Sequence, residues 1–112
     1  MKKVEKLVRD GQVAILISPN YGAGWYTWND SRKKWMLWHK ELVEAIENKN
    51  FEKAKRVAKK ANQEFSNGSD IYLGAIEELQ IVWLPKGTLF KVSEYDGSEF
   101  IKKFSDEIYM EA

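Results

Sequence analysis

The chain has 112 residues, 44% of them hydrophobic and 13% aromatic, which is enough apolar surface to close the core of one domain and too little length for two. Eighteen Lys and Arg face seventeen Asp and Glu, a formal net charge of +1, so the basic footprint of a duplex nucleic-acid binder is missing. Without cysteine, and with His39 as the single histidine, the chain offers no disulfide, thiolate metal site or cysteine nucleophile, and no apolar run reaches membrane-spanning length.

The amino terminus interleaves charge with aliphatics and lacks the apolar stretch of a secretory signal, so the expected location is the cytoplasm. Residues 1–10 carry Val4, Leu7 and Val8 at helical spacing, which predicts a short helix ended by Gly11. Gln12 to Ser18 is an apolar, β-branched run stopped by Pro19-Asn20, as expected of a buried strand. The glycine turn Tyr21-Gly22-Ala23-Gly24 leads into Trp25-Tyr26-Thr27-Trp28, whose aromatic content predicts an extended segment.

From Lys34 to Asn48, Trp35, Trp38, Leu42, Ala45 and Ile46 fall on one face of a helix. Asn50 is placed to cap a second helix, in which Phe51, Ala54, Ala58, Ala61 and Phe65 form a narrow seam, and Asn67-Gly68 ends it. Leu79 to Leu84 and Thr88 to Tyr95 read as strands around the turn Pro85-Lys86-Gly87. Asp96-Gly97 then returns Ser98 to Phe104 antiparallel, because both central positions of a type I′ turn need positive φ. The acidic stretch 105–112 carries no decisive signal. The expected fold is therefore α+β, an antiparallel β-sheet packed with a two-helix hairpin, in a single domain over residues 1–112.

Three features carry chemistry, each with a plainer alternative. Gly22 and Gly24, after a buried strand, would let backbone amides approach an anion; no Gly-Lys-Ser/Thr follows them, and two glycines after Pro-Asn equally suit an ordinary turn. Five tryptophans, with Trp25 and Trp28 beside that turn, offer faces for stacking a nucleobase, or else serve as core. The alanine seam of the second helix suits close helix packing, within the chain or between copies. Catalysis finds little support: His39 has no evident partner, and Glu94, Asp96 and Glu99 at the hairpin read as charges beside a solvent-facing turn. No cofactor and no metal are expected.

The strings Gln12-Val13-Ala14-Ile15-Leu16-Ile17-Ser18-Pro19, Tyr21-Gly22-Ala23-Gly24-Trp25-Tyr26-Thr27-Trp28-Asn29, Ile81-Val82-Trp83-Leu84-Pro85-Lys86-Gly87-Thr88 and Glu94-Tyr95-Asp96-Gly97-Ser98-Glu99 resemble the first-described type of bacteriophage Thoeris anti-defence protein. That resemblance implies a non-catalytic sponge that sequesters the glycocyclic ADP-ribose isomer made by TIR-domain proteins, working in the host cytoplasm as a homo-oligomer with pockets between subunits. It further implies that the Tyr21 to Gly24 turn offers amides, that an aromatic such as Trp25, Trp28, Phe65 or Phe90 stacks the base, and that Lys91 faces the diphosphate. Lys91 supplies charge without the bidentate fork of the arginine expected in such relatives. The rival expectation is an inhibitor that masks a host protein, binding through an aromatic surface or the helix seam.

Overall fold

The computed structural model describes residues 3–103 and 110–112. Its first turn corrects the first expectation: residues 3–10 are not helical. Asp10 (φ 50°) and Gly11 (φ 75°) form a tight turn that folds β1 (Val8–Arg9) back on β2 (Gln12–Ile17), with Arg9 opposite Gln12. Positive φ at both positions is what an Asp-Gly hairpin supplies. The aliphatic spacing is explained by Leu7, which is buried while Val8 stays exposed.

β2 is the middle strand of an antiparallel sheet ordered β1-β2-β3, and five of its six residues are buried, as expected of a strand covered on both faces. β3 (Gln80–Pro85) pairs along its whole length, Ile17 opposite Gln80 and Gln12 opposite Pro85. At the turn that follows, where Thr88 N–H donates to the Pro85 carbonyl, the chain changes sheets. β4 (Leu89–Tyr95) is the centre of a second antiparallel sheet, ordered β5-β4-β6, with β5 (Ser98–Lys103) and β6 (Met110–Glu111) on its flanks. The expected single sheet is thus two three-stranded sheets. The Asp96-Gly97 hairpin is present as expected, with φ of 49° and 86° and Tyr95 opposite Ser98. Of the expected last strand, Phe104 lies outside the described residues, as does the stretch 105–109.

The helix expected over 34–48 is two. α1 (Trp35–Trp38) stops at His39, whose backbone is extended (φ −56°, ψ 119°), and α2 (Lys40–Glu47) starts there. The imidazole itself caps α2: Nδ1 accepts the Leu42 N–H at 3.3 Å, and the His39 backbone bridges to Lys6. Helical periodicity survives the break because Trp35, Trp38, Leu42, Ala45 and Ile46 all reach the core. α3 (Phe51–Ser66) is capped by Asn50 Oδ1, which accepts from Lys53 N–H, and closed by left-handed Asn67, after which Gly68 N–H returns to the Asn62 carbonyl. Ala54, Ala58 and Ala61 are buried inside this same chain, so the seam packs α3 onto its own core, with α2 beside it. The radius of gyration, 13.1 Å, matches the ~13 Å expected of one compact body of this length.

Candidate functional site

The glycine turn and the aromatic run after it were expected to form an open anion-binding turn and an extended segment. Instead Tyr26–Trp28 is a 3₁₀ turn, and it winds around a carboxylate from the other end of the chain. Glu99, on β5 and only 2% exposed, accepts Ser18 N–H (2.9 Å) on one oxygen and Trp25 N–H (2.9 Å), Thr27 N–H (2.8 Å) and the Thr27 hydroxyl (2.6 Å) on the other. The turn is therefore a nest for an anion, and the anion is the protein's own. This corrects the reading of Glu99 as a solvent-facing hairpin charge. Gly22 N–H is taken by the Asp96 carbonyl at 2.7 Å, which ties the turn to the β4–β5 hairpin. Gly97 is buried against the Ala23 backbone, and Gly24 lies under the Trp28 indole, so neither position has room for a Cβ.

The residues singled out in the sequence are distributed accordingly. Trp25 is fully buried, its indole N–H donating to the Met36 carbonyl at 2.7 Å, and Phe90 is fully buried 6.4 Å from the Trp38 ring. Neither presents a face to solvent within the described residues. Tyr21 is 72% exposed and packs edge-on against Tyr95 at 6.5 Å; Trp28 leans on Tyr72 at 5.5 Å. Ala23 is half-buried in the turn.

Phe65 and Lys91 lie elsewhere, on either side of the segment Arg32-Lys33-Lys34 that leads into α1. On the Phe65 side is an open groove of about 1160 Å³. Phe65 gives it a half-exposed aromatic wall, with the buried rings of Trp35 and Trp38 behind it, and Lys3, Lys6, Arg32, Lys34 and Lys86 bring five cations to its edges, against the single acid Glu64. Lys6 Nζ stands 4.1 Å from the centre of the Trp38 ring and donates to the Glu111 carbonyl at 3.1 Å. Partial burial lowers its pKa, with Glu111 acting in the opposite sense. On the other side, Arg32 and Lys34 also line a recess of about 600 Å³ with Tyr26, Lys91 and Val92. Arg32 is held in a fork on Asp30, with Nη2 to Oδ2 at 2.7 Å, and that contact pushes the Asp30 carboxyl far below the usual carboxylate range.

Of the expected set, then, Phe65 and Lys91 flank one basic surface, which the Tyr21 to Trp28 turn meets through Tyr26. The sequence reasoning missed Lys3, Lys6, Arg32, Lys34 and Lys86. The run Arg32-Lys33-Lys34 was a visible signal; its convergence with Lys6 and Lys86 is a product of the fold. Among the described residues no three His, Asp or Glu side chains cluster as a metal site, and no helix is long and apolar enough to cross a membrane. The chain matches no family model, and comparison with curated proteins and with solved structures finds no similar one.

Proposed function

We propose that this protein binds and sequesters a cyclic nucleotide immune signal of the cyclic ADP-ribose class without cleaving it, and so acts as a phage anti-defence sponge. The observation that carries this reading is the groove around Arg32 and Lys34, where the half-exposed ring of Phe65, backed by the buried Trp35 and Trp38, stands beside cations (Lys6, Arg32, Lys34). A dinucleotide-like ligand needs that combination: a flat apolar wall for the base and positive charge for a diphosphate. Lys91 borders the adjoining recess, so a ligand crossing the Arg32–Lys34 segment would reach it. The assembly proposed is a homo-oligomer, as the resemblance implies.

A second reading is favoured by a specific observation. Tyr21, Trp28, Tyr72, Tyr95 and Phe100 are all exposed aromatics, and four of them are paired at the surface, which suits a protein that masks a host protein. Calorimetric titration with glycocyclic ADP-ribose, then heat release and chromatography of the nucleotide, separates these. Saturable binding with intact ligand recovered supports the sponge. A cleaved product makes the protein an enzyme, and no binding of this or other cyclic nucleotides leaves the masking reading.

A further inference from the structure

Lys33 is buried, 3% exposed, in a position where a lysine is costly. Its ammonium donates two hydrogen bonds of 2.6 Å, to Asn62 Oδ1 and to Ser69 Oγ, and both acceptors are neutral. Among the described residues it has no carboxylate within ion-pair distance. Asp30, the nearby acid that feels its charge, is already held at both oxygens by Arg32. A buried ammonium whose described hydrogen-bond acceptors are both neutral, and whose nearest described acid is shared with an arginine, is under-compensated, and proteins normally relieve such a charge with an anion.

Around Lys33 the cavity adds further polar groups. Asn62 is locked by its own amide, which donates to the Ser69 carbonyl at 2.6 Å, so its oxygen stays turned to Lys33. Ser66 Oγ accepts from the Trp35 indole at 2.9 Å, which leaves its hydroxyl proton to donate. Lys33, Ser66, Ser69 and Arg32 line a cavity of about 390 Å³ at the end of α3, with Asp30 and Phe65 also on its wall. We propose that this cavity is a binding site for a small oxyanion, either free phosphate or the phosphoryl group of a larger ligand, with Lys33 as its central cation. The cavity adjoins the nucleotide groove and shares Arg32 and Phe65 with it, but the inference rests on Lys33, which lines this cavity and not the larger groove.

The test is thermal unfolding of the whole protein in inorganic phosphate against chloride at equal ionic strength. Saturable stabilisation, on the order of 5 °C at high occupancy, is expected for the unaltered protein. It should vanish in Lys33→Met and persist in Lys59→Met, which removes an exposed cation of α3. No stabilisation, or an equal response in Lys33→Met, overturns the site. Should Lys33→Met not fold, amide spectra of the unaltered protein titrated with phosphate decide: shifts confined to Lys33, Ser66 and Ser69 support the site, and shifts spread over the surface lysines, or none, overturn it. Adenosine monophosphate provides the second arm. Binding about tenfold tighter than phosphate (about 1.4 kcal/mol) identifies a ligand-borne phosphoryl group, and equal binding identifies the free ion.

Discussion

Glu99 and Thr27 are 72 residues apart, yet one carboxylate oxygen of Glu99 receives both the backbone N–H and the hydroxyl of Thr27, at 2.8 and 2.6 Å. The same oxygen takes Trp25 N–H, so removing the charge strands several buried donors at once. Glu99→Ala is expected to destabilise the fold by about 3 kcal/mol, with Glu99→Gln nearly as damaging because its amide group faces donors with donors. Urea denaturation checks both; a loss under about 1 kcal/mol for the alanine variant would mean that the turn holds itself.

His39 makes stability pH-dependent in a defined direction. Burial lowers its pKa against the raising pull of Glu41 and Glu64, and its Nδ1 must stay unprotonated to accept the Leu42 N–H. Because the folded pKa is the lower one, the unfolded chain takes up the proton first. Stability is therefore complete above the ordinary imidazole value of about 6.5 and falls as pH drops below it, with a slope of at most about 1.4 kcal/mol per pH unit from this group. His39→Asn, which keeps a capping acceptor without titrating, should flatten that part of the curve. An unchanged slope in the variant would assign the pH dependence to carboxylates.

Two glycines with similar backbone angles should respond differently to alanine. Gly87 (φ 91°) faces open space, so Gly87→Ala bears only the conformational strain of about 1 to 2 kcal/mol. Gly97 (φ 86°) would add a Cβ 2.6 Å from the Ala23 nitrogen, where backbone must move. Gly97→Ala is expected to lose clearly more, and equal melting temperatures for the two variants would contradict the close approach of hairpin and turn.

Ala58 is fully buried in α3. Ala58→Leu should overpack the core and cost about 1 to 3 kcal/mol. If the seam were instead an interface between copies, the variant would keep its folding stability and change its sedimentation.

On the nucleotide reading, Phe65→Ala should weaken binding by about 1 to 3 kcal/mol, the stacking of one base, seen by calorimetry as a roughly 5- to 150-fold rise in Kd. Trp25→Phe, at a buried site that does not line the groove, should change stability and leave Kd alone.

Much of the fold was legible because its signals are local. The β-branched run of β2, the Asn50 cap, the Asn67-Gly68 stop and the Asp96-Gly97 turn each act through neighbours in sequence. Asp10-Gly11 carries the same hairpin signal, but Val4, Leu7 and Val8 beside it have a spacing that suits a helix, and only the burial of Leu7 with Val8 exposed separates the two. Trp25 to Trp28 looked extended because aromatic residues favour strands; a carboxylate from β5 bends that segment into a turn. The candidate site was less legible, since nothing in the run Arg32-Lys33-Lys34 distinguishes the buried middle lysine from its exposed neighbours. Only tertiary packing against Asn62 and Ser69 does so.

The clasp between the turn and β5 also gives the molecule a reporter. The amides of Trp25 and Thr27 are protected by a side chain, not by a ladder or a helix, so they exchange with solvent whenever the β4–β5 hairpin undocks and for no local reason of their own. Two early residues thus measure the opening of a distant hairpin, and their exchange rates should rise and fall together.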